Sequence, residues 1–176
     1  ACEQVDFALG TDTGGSVRVP AAFCGLFGIR PSHGRVSLRG IMPLAPSLDT
    51  CGWFAREAAL FRWIAPVLMD WSDKPAPTRV LIAEDAFDLV DDDVRDALGP
   101  AIARVEALFG AAKPIRPSER AGLAGGFPQW QQAMQVTRGS EAAASHLAWI
   151  RATNPEMGPH FRERFEAGGA FTPADI

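Results

Sequence analysis

The sequence predicts an α/β fold, a mixed central sheet covered by helices, and two patterns carry that expectation. Arg79-Val80-Leu81-Ile82-Ala83 is an apolar run of strand length, and Asp91 to Phe109 has helical periodicity, so a β-α unit lies in the second half of the chain. The first half, Val5 to Pro46, is dense in glycine and small residues and has little helical spacing, which suits short strands and tight turns. The expected organisation is one domain over residues 1–176, with a motif-bearing core at 1–56 and a helix/strand/helix region at 57–176.

Taken in order, Val5-Asp6-Phe7-Ala8-Leu9 alternates weakly and reads as a strand running into a glycine turn. Gly10 to Ser16 is a loop. Phe23 to Arg30 and Arg35 to Leu38 read as short buried segments, separated by Pro31 and Gly34. Arg56 to Met69 is a helix with Ala59, Trp63 and Val67 on one side, ending near Asp70. Trp71 to Pro77 is a polar connection. The helix from Asp91 or Asp92 has Asp93 at its positive end, a stripe of Val94, Leu98, Ile102, Val105 and Phe109, and Gly110 as its stop. Trp130 to Ile150 is a second helical stretch, interrupted at Gly139-Ser140 and ended by Asn154-Pro155. Thr172 and Pro173 read as the N-cap and first residue of a further helix, with Asp175 in its first turn. A first residue other than Met and a last segment that begins a helix predict an internal piece of a longer polypeptide, incomplete at both ends.

Composition excludes several classes. The chain has 176 residues, 47% of them apolar and 22% charged, values of a globular protein and not of a disordered tail or a collagen-like fibre. A net charge of −4 makes nucleic acid a poor partner. No apolar run reaches the roughly 18 residues of a membrane span, and the best candidate, Ala58 to Met69, is broken by Arg62 and Pro66. Ala1-Cys2-Glu3-Gln4 has neither the basic nor the apolar region of a signal peptide. Cys2, Cys24 and Cys51 share no metal-ligand spacing and read as reduced thiols of a cytoplasmic protein. His33, His146 and His160 are scattered. The acidic cluster Asp88, Asp91, Asp92 and Asp93 fits no calcium loop and reads as a capped helix start.

Chemistry concentrates in Gly10-Thr11-Asp12-Thr13-Gly14-Gly15-Ser16-Val17-Arg18-Val19-Pro20. Two glycines let the backbone adopt positive φ and turn successive N–H groups toward a ligand, and a serine at the end of such a nest brings a nucleophile beside donors for a developing oxyanion. Alone, Gly-Gly-Ser also suits a flexible loop. Asp12-Thr13-Gly14 is the triplet of an aspartic protease, but that chemistry needs two carboxylates and the triplet occurs once.

The stretch continues into Pro20-Ala21-Ala22-Phe23-Cys24-Gly25-Leu26-Phe27-Gly28-Ile29-Arg30-Pro31-Ser32-His33-Gly34 and then Pro46-Ser47-Leu48-Asp49-Thr50-Cys51-Gly52-Trp53-Phe54-Ala55-Arg56. From Val5 to Arg56 the chain resembles the amidase signature family of serine hydrolases. Arg30 to Gly34 and Gly52-Trp53-Phe54 look most like its plant-type indole-acetamide hydrolase branch. The resemblance implies the amidase signature fold and a Ser-Ser-Lys mechanism that hydrolyses a carboxamide C–N bond, releasing ammonia or an amine. Ser16 would be the acyl-ester nucleophile. The backbone N–H groups of Thr13, Gly14, Gly15 and Ser16 would form the oxyanion hole, and Thr11, Asp12 and Arg18 would brace the loop. The family's relay serine and base lysine belong upstream of the nucleophile, and the residues before Ser16 contain neither type. Lys74 and Lys113 match no family motif, so relay and base are expected outside this chain. The implied partners are a small-molecule amide and the remaining parts of the parent chain, with no metal or cofactor; a homodimer is compatible with the sequence. Trp53, Phe54 and Trp130 are candidates to line a pocket for an arylalkyl amide, against a reading as core. The alternative is a catalytically inactive amidase-like docking or scaffold module.

Overall fold

The computed structural model describes residues 3–71, 78–120, 125–172 and 174–175. The chain divides into two compact units: Ala1–Ser72 with Ala133–Ile176, and Asp73–Gln132. The motif-bearing segment 1–56 lies whole in the first.

In the first unit, β1 (Phe7–Thr11), β2 (Phe27–Ile29) and β3 (Cys51–Ala55) form an antiparallel sheet in the order β1-β3-β2. Its register pairs Phe7 with Ala55, Thr11 with Cys51, Phe27 with Ala55 and Ile29 with Trp53. β1 runs two residues beyond the expected Leu9. Between β1 and β2 lies a helix the sequence pattern did not show, α1 (Arg18–Phe23). It is six residues long, too short to display a period, and it contains Pro20. Phe23, expected in a buried segment, is 89% exposed. Arg35 to Leu38 forms no strand, although Val36 is buried.

α2 (Ala58–Leu68) packs on β3, but through a different face from the expected one. Ile64 and Ala65 are buried with Val36, Cys51 and Trp53, and Leu60, Phe61 and Leu68 pack against them. Trp63 and Val67 are 72% and 76% exposed. The helix is apolar nearly all round, so its periodicity alone could not choose a face. Trp53 chooses it: the indole is 1% exposed, donates to the Phe61 carbonyl at 3.0 Å and stacks obliquely on the Phe61 ring at 5.4 Å. Truncating such a side chain costs about 3–5 kcal/mol.

α6 (Gly126–Thr153) runs without interruption through Gly139 and Ser140. Gly139 serves a helix crossing instead: a Cβ on Gly168 of α7 (Phe161–Gly168) would stand 2.2 Å from the Gly139 carbonyl oxygen. α6 ends before Asn154-Pro155, as expected. At Thr172 the described residues form a turn and not the expected helix start: the Asp175 N–H donates to the Thr172 carbonyl at 2.9 Å, and Asp175 Oδ2 accepts from the Thr172 N–H and hydroxyl at 2.7 Å, so the hydroxyl donates and does not cap. Pro173 lies outside the described residues.

The second unit is the expected β-α unit closed by another strand, but its first strand, expected as a buried run over Arg79 to Ala83, is three residues long and Leu81 is 51% exposed. β4 (Leu81–Ala83) leads through α3 (Glu84–Phe87) and α4 (Asp92–Phe109) to β5 (Lys113–Ile115), which pairs with it in parallel. α5 (Pro117–Arg120) follows. Asp85 holds the turn together, accepting from the Ser118 N–H at 2.8 Å and hydroxyl at 2.5 Å. Asp91 takes the N-cap position of α4, and Gly110 ends the helix at φ +92°. Asp88 pairs with Arg116 at 3.1 Å. Of the expected α4 stripe, Val94, Leu98, Val105 and Phe109 are exposed and Ile102 is half-buried, and no residue of that helix is buried. The connection from Ser72 to Pro77 lies outside the described residues. Among the described residues no helix is long and apolar enough to cross a membrane.

Candidate active site

The Asp12 to Arg18 loop sits where β1 meets α1. Asp12 is anchored to the approach of β3 by a reciprocal pair: its N–H donates to the Thr50 carbonyl, and the Thr50 hydroxyl donates to its carbonyl, both at 2.8 Å. Its carboxylate then gathers the turn. Oδ1 accepts from the Gly15 N–H at 2.7 Å, and Oδ2 accepts from the N–H groups of Val17 and Arg18 at 3.2 Å. The Arg18 guanidinium grips both oxygens, Nε to Oδ2 and Nη2 to Oδ1, at 3.0 Å. Asp12 is wholly buried. Burial by itself would raise its pKa, but the Arg18 guanidinium and the N–H groups of Arg18, Gly15 and Val17 outweigh it and hold the carboxyl far below the usual carboxylate range.

Two further residues fix the loop from below. Arg30 donates through Nη1 to the carbonyls of Asp12 and Thr13 at 2.9 and 3.1 Å, and through Nη2 to that of Leu48 at 2.8 Å. Its Nη1 also lies 3.7 Å from Asp12 Oδ1. Thr13 donates its hydroxyl to Asp49 Oδ1 at 2.5 Å, while Asp49 Oδ2 accepts from the N–H groups of Leu44 and Ala45 at 2.8 and 3.0 Å. Arg30, Asp49 and Thr50 received no role from the sequence. They lie in the motif stretches around Arg30-Pro31 and Ser47-Leu48-Asp49-Thr50, where a charged residue amid glycine, proline and apolar neighbours was the available signal.

Local backbone geometry explains the glycines. Gly15 has φ +127°, and a Cβ there would also crowd Val19 Cγ2 at 3.0 Å. Val17, fully buried, lies on the sheet over Gly10, Gly28 and Gly52, and at Gly28 an added Cβ would stand 2.4 Å from the Ala21 Cβ. The small residues thus let α1 and the loop lie flat on the strands.

Between buried Gly15 and buried Val17, Ser16 is exposed. The N–H groups of Thr13, Gly14 and Ser16 have no hydrogen-bond partner among the described residues, whereas that of Gly15 is directed to Asp12. Asp12 and Arg18 are brought together around the loop; Thr11 closes β1 opposite Cys51 and is exposed. Ser16 Oγ has no proton acceptor among the described residues. Lys113 is on β5 of the second unit, and Lys74 lies outside the described residues.

The three aromatic residues expected to line a pocket have different local surroundings. Trp53 is core, Phe54 borders a separate cavity with Phe7 and Leu60, and Trp130 belongs to the second unit, edge-on to Phe127 at 5.3 Å. Cys24 is exposed and Cys51 buried, both free, and burial pushes the Cys51 thiol pKa up; Cys2 lies outside the described residues. His33 and His146 donate from Nε2 to the carbonyls of Pro46 and Pro43, away from the loop.

The chain is similar to known proteins. Amidase 1 of Arabidopsis thaliana is 36% identical over 192 residues, covering 94% of this chain and 45% of that protein. Translocon at the outer membrane of chloroplasts 64 of Pisum sativum is 32% identical over 192 residues, covering 94% of this chain and 32% of that protein. The crystal structure of an amidase matches with a TM-score of 0.80 at 29% identity, over 96% of this chain and 38% of that one, so the fold is the amidase fold in part. The chain spans less than half the length of these relatives. The family model Amidase matches residues 1–108, which include the Asp12 to Arg18 loop and strands β1, β2 and β3, and the chain belongs to the amidase family.

Proposed function

We propose that the protein, as part of a longer chain, hydrolyses a carboxamide C–N bond through an acyl-Ser16 intermediate. The observation that carries this reading is the exposed Ser16 in a loop clamped by buried Asp12, with the N–H groups of Gly14 and Ser16 left unengaged. Ser16 Oγ attacks the amide carbonyl and loses its proton, and the carbonyl oxygen takes the negative charge. The N–H groups of Thr13, Gly14 and Ser16 receive that oxyanion, each donor lowering the barrier by about 3 kcal/mol. Gly15 supports it by tying its own N–H to Asp12. The C–N bond breaks as the nitrogen is protonated, ammonia or an amine leaves, and water cleaves the acyl ester to release the acid and Ser16.

Proton transfer falls to a serine and a neutral lysine supplied by the parent chain outside residues 1–176. General-base assistance is worth about 10²- to 10⁴-fold, so these 176 residues alone are inactive. Both units belong to one amidase domain, and the free thiols of Cys24 and Cys51, among the described residues, support a cytoplasmic setting.

The test is ammonia or amine release by the full-length protein from simple carboxamides. Ser16→Ala abolishes it while the protein melts at an unchanged temperature; retained turnover refutes the reading. The Pisum sativum relative favours a second reading, a docking module without catalysis. A full-length protein that folds, binds partners and never releases ammonia would establish that one instead.

A further inference from the structure

In the first unit, α6 and α7 with Leu44 and Phe171 line a half-open cavity of about 480 Å³. Phe161, Phe165 and Phe171 give its lining an aromatic character, and two cations, Arg138 and Arg164, also line it. Arg138 donates to the neutral Gln135 Oε1 at 2.6 Å, and the Arg164 guanidinium lies 5.8 Å from the Phe161 ring centroid. Among the described residues neither has a carboxylate within 4.0 Å, whereas Arg18, Arg56, Arg116 and Arg151 each do. In a chain of net charge −4, two cations without counter-charges on one aromatic cavity are a recognition feature. The cavity also adjoins the nucleophile loop: Arg138 Nη1 lies 3.8 Å from where a Cβ on Gly14 would stand.

We propose that this cavity binds an aromatic carboxylate, its ring among the three phenylalanines and its carboxylate held by Arg138 and Arg164. Resting on the amidase reading, the cavity takes the anionic aryl end of the substrate, so the substrate class is an aryl or arylalkyl amide that also carries a free carboxylate. The guanidinium fork matches a carboxylate in plane, and the volume leaves ample room for an aromatic acid and the rest of its substrate.

The experiment is isothermal titration of the full-length protein with phenylacetate and with the neutral analogue 2-phenylethanol. Phenylacetate binds about 10-fold more tightly or better, and the preference shrinks as salt screens the half-open cavity. Arg138→Gln and Arg164→Gln each remove most of the preference, and Arg138→Lys restores part of it by keeping the charge. Equal affinity of the wild-type protein for the two probes overturns the proposal, as does a preference that survives both glutamine variants. Should Arg138→Gln fail to fold, the wild-type preference and its loss in Arg164→Gln decide. Binding is read without turnover, so an inert Ser16 with a clear preference would remove the amidase reading and leave the site, while a reactive Ser16 with no preference would do the reverse.

Discussion

Replacing Asp12 by Asn asks how much of the Asp12 to Arg18 loop hangs on one buried charge. Asn keeps the size and one carbonyl oxygen, which can still accept from Gly15. Its amide NH₂ then occupies the place of Oδ2, where the N–H groups of Val17 and Arg18 and the Arg18 Nε all donate. Three donors would face a donor, and Arg18 and Arg30 would lose their shared counter-charge. Breaking a buried pair by removing one partner costs about 3–5 kcal/mol, but half-exposed Arg18 regains water, so about 3 kcal/mol is the expected loss. In a full-length protein of its relatives' length, D12N lowers Tm by about 3 °C or more. The loop donors shift with it, and labelling of Ser16 by a fluorophosphonate slows by about 10²-fold. The pH dependence has a definite sign. The folded carboxyl titrates far below the ordinary aspartate value of 3.8, so its contribution is complete above that value and is lost as pH falls toward the folded pKa. The Tm gap between wild type and D12N is therefore flat from about pH 7 to 5 and narrows below about pH 4. Equal Tm and equal labelling at pH 7 refute the reasoning, and so does a gap that widens on acidification.

Two other changes probe the same platform in thermal melts of the full-length protein. Gly28→Ala places a methyl group 2.4 Å from the Ala21 Cβ and costs about 1–3 kcal/mol by forcing α1 off the sheet, with slower Ser16 labelling; an unchanged melt would contradict the packing described. Thr13→Val leaves buried Asp49 Oδ1 without its donor and costs about 1–3 kcal/mol, and Thr13→Ser, which keeps the hydroxyl, recovers most of it.

Where the sequence was legible, a local signal was strong. The α4 helix has a period, an aspartate cap and a glycine stop, and all three are local. The Asp12 to Ser16 loop could be read because its residue types are unusual in combination. What stayed hidden is long-range or too short. α1 has six residues and no period. The buried face of α2 is set by Trp53 on another strand, which a helical wheel cannot register. Gly139 reads as an interruption until Gly168 is seen crossing it. Arg30 and Asp49 reach the loop from 17 and 36 residues away, so their roles exist only in the folded chain. The cavity between α6 and α7 is of the same kind: its aromatic residues fall in a stretch with no motif, and only the helix crossing gathers them.

The most direct test of the central claim is intact mass spectrometry of the full-length protein after exposure to a fluorophosphonate, beside its S16A variant. The account predicts one adduct on the wild-type protein, mapped to Ser16, and none on S16A. A folded wild-type protein that takes no adduct, or an S16A variant that takes as much, would contradict it.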